Sequence, residues 1–190
     1  MSKTICAYCA SSETVSERYF AASRELGDAI AMRGLRMVYG GGNRGLMGAL
    51  AHSVHSKGGH TIAVIPQQLH DLGLTFLDAD EIVITRNMRE RKQTMEQRAD
   101  AFIALPGGFG TLEEFLEVLT LRQLAYHAKP IVLLNAENFY GPLLTLFEHF
   151  IELNFVKSEH RDLFHVADTA DAALDYIADF RPPEPVPKFM

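Results

Sequence analysis

The chain has no tryptophan and only two cysteines, Cys6 and Cys9, which excludes a disulfide framework as the source of its stability. No apolar run approaches the roughly 18–20 residues that a membrane-spanning helix requires. The opening residues, from Met1 to Glu13, are too polar to form the apolar centre of a signal peptide. Positive charge is also in short supply: 18 Lys and Arg stand against 24 Asp and Glu, a formal net charge of −6. A general nucleic-acid binder needs a broad basic surface, so that class is disfavoured. What remains is ordinary for a globular protein, with 47% hydrophobic and 22% charged residues in a chain of 190. That length suits one domain with a single core. The expectation is a cytoplasmic, single-domain protein with neither nucleic acid nor membrane as partner.

Short apolar runs alternate with longer amphipathic ones, the pattern of repeated βα units. Strands are predicted at Thr4–Tyr8, Leu35–Tyr39, Thr61–Ile65, Glu81–Thr85, Ala101–Leu105 and Pro130–Leu134, with a further short one at Leu163–Val166. The runs show little polar alternation, as in a parallel sheet covered on both faces. Helices are predicted at Glu17–Arg33, Leu46–Lys57, Met88–Arg98, Leu112–His127, Pro142–Asn154 and Ala170–Asp179. The fold class is therefore α/β, a Rossmann-like, doubly wound parallel sheet flanked by helices, over residues 1–180. Residues 181–190 form a proline-rich tail, expected to be extended or disordered. Ligands of such sheets bind in the loops that follow the strands.

Two glycine loops fall in that position. Gly40-Gly41-Gly42-Asn43-Arg44-Gly45 follows one strand and contains G-x-G-x-x-G. Such a loop lets the backbone approach a phosphate, and the next helix N-terminus favours an anion. The following strand ends in Ile65-Pro66-Gln67-Gln68, without the acid that holds a dinucleotide's ribose, which argues against NAD. The absence of Gly-Lys-Ser/Thr removes the P-loop reading. The alternative, less favoured, is that the glycines only allow a tight turn and close helix–sheet packing. The second loop, Pro106-Gly107-Gly108-Phe109-Gly110-Thr111, follows another strand and offers a nest of backbone N–H groups. Two such loops, expected on neighbouring strand ends, suit a phosphorylated ligand of mononucleotide size.

Thr111-Leu112-Glu113-Glu114 reads in two ways. It is a capping box, with Glu114 reaching back to the Thr111 N–H, or it points Glu114 at the sugar of a phosphorylated ligand. Arg86, Arg89, Arg91, Lys92 and Arg98 make a local basic segment in an acidic chain. It can deliver cations to a phosphate, or it is a solvated helix face paired with Glu90 and Glu96. Cys6 and Cys9 lack a second pair of ligands and read as small buried residues. Ser11 and Ser12 follow the first strand, where they either touch the ligand or simply start a loop.

Taken in order, Cys9-Ala-Ser-Ser12, Val38-Tyr-Gly-Gly-Gly42, Gly45-Leu-Met-Gly48, Val64-Ile-Pro66, Met88-x-x-Arg91-Lys92 and Pro106-Gly-Gly-x-Gly-Thr-Leu-Glu-Glu114 resemble the LOG ("lonely guy") family of cytokinin riboside 5′-monophosphate phosphoribohydrolases. The similarity runs from about residue 4 to residue 156. It implies a homodimer that cleaves the N-glycosidic bond of adenosine-type nucleoside 5′-monophosphates to a free base and ribose 5-phosphate, with no metal or other cofactor. It implies Arg91 and Glu114 as the catalytic pair. Ser12, Gly41, Gly42, Met88, Lys92, Gly107, Gly108, Phe109, Gly110, Thr111 and Thr120 are implied as substrate-binding residues. Similar sequences also carry the name lysine decarboxylase, but this one offers no evident site for pyridoxal phosphate. The chain departs from the family at Arg89, where a histidine is common, at Ala10, at Leu121-Arg122 and at Gly73, where some members carry an acid. The loop Gln67 to Asp80, after Pro66, is expected to border the base or its N6 substituent, so these departures bear on the base rather than on hydrolysis. The rival expectation is a carrier that binds a nucleotide or phosphorylated cofactor without chemistry.

Overall fold

The computed structural model describes residues 2–182. Most of the stretch 181–190 predicted to be an extended or disordered tail lies outside the described residues. The elements run β1 (Thr4–Tyr8), α1 (Glu17–Met32), β2 (Arg36–Tyr39), α2 (Gly45–Ser56), β3 (His60–Pro66), α3 (Gln67–Asp71), β4 (Glu81–Thr85), α4 (Met88–Arg98), β5 (Ala101–Ala104), α5 (Phe109–Gln123), β6 (Ile131–Leu134), α6 (Gly141–Glu152), β7 (His165–Ala167) and α7 (Ala170–Asp179). Short 3-10 turns occupy Ala136–Asn138 and Ser158–Leu163. The strands form one parallel sheet in the order β4-β3-β2-β1-β5-β6-β7. This is the predicted α/β, Rossmann-like architecture.

Side chains alternate across the sheet, so each strand feeds two cores. Ile5 and Ala7 of β1, with Met37 and Tyr39 of β2, pack with Leu26, Ile30, Leu50 and Leu174 from α1, α2 and α7. Cys6, Tyr8 and Val38 point the other way, against Met95, Phe115 and Val118 from α4 and α5. Burying one such aliphatic or aromatic side chain contributes about 1.5–3 kcal/mol. The central strands are buried along their length, while the edge strand β4 leaves Ile84 exposed.

Two local outcomes differ from the sequence pattern and shape the site. The helix predicted at Leu112–His127 begins at Phe109 and ends at Gln123. Its N-cap is Gly108, in extended conformation, so Thr111 lies inside the helix and the capping box is not formed. At the other end Ala125 takes a left-handed φ of 61°, which stops the helix. The two glycine loops are also not on neighbouring strands, because β1 lies between β2 and β5. The strand order reverses direction there, which opens a crevice at the carboxyl ends of the strands.

Candidate functional site

A cleft of about 670 Å³ lies in that crevice. Five strand ends contribute to it: the turn after β1 (Cys9 to Glu13), the glycine loop after β2 (Gly40, Gly42 to Arg44), Ile65 on β3, Met88 and Arg91 after β4, and Gly108 to Thr111 with Glu114 after β5. Local sequence explains how each is presented. Asn87 caps α4 by accepting from the Glu90 N–H at 3.0 Å, and Glu90 in turn accepts from the Arg86 N–H at 2.8 Å. This fixes the first turn of α4, which carries Met88 and Arg91. Gly45 opens α2 with φ +58°, and a β-carbon there would overlap the Ser11 carbonyl. Only glycine allows the β1 turn to sit that close to α2.

At the floor of the cleft, Arg91 Nη1 donates to Glu114 Oε1 at 2.6 Å. Both residues are buried, with 6% and 9% exposure. Arg91 Nε also donates to the Val64 carbonyl at 3.2 Å, so the guanidinium is held from two elements. Burial raises the Glu114 carboxyl above its ordinary value, and the Arg91 charge and hydrogen bond oppose that rise. Behind the pair, burial pushes the Cys6 and Cys9 thiols far up, which keeps them neutral. They are the small buried residues expected, and Cys9 forms part of the cleft floor.

Of the binding residues implied by resemblance, Ser12, Gly42, Met88, Gly108, Phe109, Gly110 and Thr111 line the cleft with Arg91 and Glu114. Phe109 is 95% exposed at its rim. Gly41 and Gly107 sit in the same two loops without lining it; the Thr111 side chain lies over Gly107, and the Gly41 carbonyl accepts from Phe76 N–H at 3.0 Å. Lys92 and Thr120 are elsewhere. The Lys92 ammonium is bound by Glu113 and, at 2.9 Å, by Glu117. Thr120 lines a shallow groove on the outer face of α5 with Phe109, Leu112, Leu116 and Leu121.

The basic segment resolves into different roles. Arg86 pairs with Glu90 and Arg98 with Glu81 on the surface, and the expected pairing with Glu96 is not found among the described residues. From that segment Arg91 alone lines the cleft among the described residues. Sequence reasoning expected the loop Gln67 to Asp80 beside the base without singling out the apolar residues of that side, where Met47, Ile65, Leu69 and Leu74 line the cleft. Leu74 is brought there because its carbonyl accepts from the Asn43 N–H at 3.0 Å, and Thr75 bridges to Gly42.

The resulting chamber has one carboxylate and one guanidinium at its base, backbone N–H donors at the start of a helix on one side, and an apolar wall on the other. Such a site can hold an anion at the α5 N-terminus, where the helix dipole favours it. It can also place a carboxylate against a centre that develops positive charge. Among the described residues, no helix is long and apolar enough to cross a membrane.

A family model described as "Possible lysine decarboxylase" matches residues 47–177. The chain is 39% identical over 180 residues to the cytokinin riboside 5′-monophosphate phosphoribohydrolase LOG5 of Arabidopsis thaliana, covering 95% of this chain and 79% of that one. It is 42% identical over 180 residues to LOG, of the same activity name, from Oryza sativa subsp. japonica, covering 95% and 74%. Among solved structures, the molybdenum cofactor binding protein of Rippkaea orientalis superposes with a TM-score of 0.71 at 22% identity, covering 94% of this chain and 96% of that one. The molybdenum cofactor carrier protein of Chlamydomonas reinhardtii gives 0.69 at 21% identity, covering 94% and 97%. The last two share the fold.

Proposed function

The chain belongs to the family of cytokinin riboside 5′-monophosphate phosphoribohydrolases, and from that premise we propose that it hydrolyses the N-glycosidic bond of adenosine-type nucleoside 5′-monophosphates, releasing the base and ribose 5-phosphate. The observation that carries the reading is the buried Arg91–Glu114 pair at the floor of a nucleotide-sized cleft. The phosphate sits on the turn Gly107 to Thr111, where α5 N–H groups and the Thr111 hydroxyl donate to it. The Gly41-Gly42 loop and Ser12 close the opposite side, and Met88 packs on the base.

Cleavage of the ribosyl C–N bond builds positive charge on the sugar ring, as in other glycoside hydrolysis. Glu114 is the catalytic carboxylate that faces this charge, and it orients the water that adds to the anomeric carbon. Arg91 opposes the rise that burial imposes on the Glu114 carboxyl and holds it in place. A carrier without chemistry accounts less well for the same residues: phosphate binding has no use for a buried carboxylate, which repels the anion.

The outer face of α5 supports a homodimer. Phe115 belongs to the core and takes no part in it. Leu116 and Phe109 are exposed and border the groove with Leu121, an apolar face that a second copy would cover.

Purified protein incubated with AMP and with N6-isopentenyl AMP, and followed by chromatography, is expected to release free base from at least one. Intact nucleotide throughout, or a Glu114→Gln variant as fast as wild type, would sink the proposal.

A further inference from the structure

We propose that Lys92 is a positioning residue for the Arg91–Glu114 pair and makes no contact with the substrate phosphate; the inference rests on the hydrolase reading above. Lys92 follows Arg91 on α4 and therefore points about 100° away around the helix. Its ammonium is bound by Glu113 and Glu117, which lie one turn apart on α5 and flank Glu114. The Lys92 side chain is only 16% exposed, and the cleft lining does not include it.

Two parallel links therefore join α4 to α5: Arg91 to Glu114 inside, and Lys92 to Glu113 and Glu117 outside. A single ion pair lets two helices slide by a turn or roll about the contact. A second link offset around the helix removes that freedom. The outer cation, straddling two carboxylates on successive turns, sets the height at which α4 meets α5. That height decides whether Arg91 Nη1 meets Glu114 Oε1. The two acids already share the Lys92 ammonium, so recruiting it to a phosphate would leave two carboxylates unpaired beside each other.

The charged and titratable groups around Glu114 are Arg91 and Lys92 from α4, Glu113 on its own helix, and, behind it, Cys6 and Tyr8 on β1 with Cys9 in the turn that follows. Removing Lys92 takes away a cation and exposes Glu114 to Glu113.

The test compares Lys92→Met, Lys92→Arg and the double variant Glu113→Gln/Glu117→Gln with wild type. Lys92→Met is expected to lower kcat about tenfold to a hundredfold, the range seen when a reacting group is misplaced by about an ångström. KM stays within about threefold, and the acid limb of the kcat–pH profile moves to higher pH. Lys92→Arg restores most of the activity. The double variant, which keeps every cleft residue and Lys92 itself, loses kcat as Lys92→Met does, at an unchanged oligomeric mass by sedimentation. A phosphate ligand behaves otherwise: KM and the Kd for AMP by titration calorimetry rise tenfold or more in Lys92→Met with kcat kept, and the double variant is fully active. Either result overturns the inference. If Lys92→Met does not fold, the double variant decides. Wild-type protein that binds AMP but releases no base overturns the hydrolase reading, and the calorimetry then separates the two roles of Lys92 by itself.

Discussion

The guanidinium of Arg91 fills the space that a β-carbon on Gly40 would need. The glycine loop after β2 therefore serves the α4 arginine as well as any phosphate. Gly40→Ala is expected to push Arg91 out of its place between Val64 and Glu114. Base release should fall at least tenfold, and stability should drop by roughly 1–3 kcal/mol, because a buried charge pair loses one partner. Initial rates and a urea melt check this; wild-type kinetics in Gly40→Ala would show that Arg91 does not need that position.

Glu114 sets the expected pH dependence. Burial raises its carboxyl in the fold, so activity that needs the ionised form falls on the acid side at a pH above the ordinary glutamate value of about 4.3. The stability sign follows from the same shift. A raised folded-state value favours the fold below the unfolded value, and that contribution is lost as pH rises through the folded one. Glu114→Gln should remove the acid limb of kcat and flatten the corresponding stability change. A limb at the same pH in wild type and variant would assign it to another group.

His127 carries a second pH effect, of opposite sign and away from the cleft. Its Nε2 donates to the Val118 carbonyl at 3.0 Å, while Nδ1 accepts from the Lys129 N–H at 3.2 Å. The Nδ1 bond needs the neutral ring, and burial pushes the pKa down to about 4 against the opposing pull of the Val118 bond. Stability is full above the unfolded histidine value of about 6.5 and is lost as pH falls toward the folded one. The ring is only about half-buried, so the loss is on the order of 1 kcal/mol after solvent screening. Urea unfolding at pH 7.5 and at pH 5 should show this loss in wild type, and a smaller one in His127→Gln.

Gly45→Ala tests how closely the β1 turn must approach α2. The substitution meets both a left-handed φ and the Ser11 carbonyl. A loss of about 1–3 kcal/mol is expected, together with weaker nucleotide binding, because the turn that holds Ser12 has to move. Calorimetry with AMP alongside thermal melting separates the two effects.

Leu116→Asp tests the α5 face. Wild type is expected to sediment as a dimer at micromolar concentration and the variant as a monomer with an unchanged circular dichroism spectrum. A monomeric wild type would remove the dimer.

Much of this was legible in the chain. The apolar runs of β1 and β5 and the loops behind β2 and β5 lie where strand periodicity and glycine content put them. The motif resemblance singled out Arg91 and Glu114, and the structure brings them to 2.6 Å. The rest was hidden for physical reasons. Gly108 caps α5 through its backbone conformation, a role that side-chain capping rules do not reveal, so the helix was placed three residues late. The partners of Lys92 lie on another helix, and local charge spacing cannot see across that gap. The apolar wall at Leu69 and Leu74 depends on long-range pairing of residues 73–76 with Gly41 to Asn43.

The strand order also governs when the cleft can come into being as the chain folds. β1 joins β5 across the sheet, and Thr4 N–H donates to the Asp100 carboxylate 96 residues away. Closing so long a loop carries a large entropic cost before any contact repays it, whereas α1 and α2 can pack early over β1 and β2. The two glycine loops thus spend the first phase of folding apart. Arg91 and Glu114 meet only once the second half of the sheet has docked, so catalytic competence is expected as a late kinetic phase, after most of the helical signal has been gained.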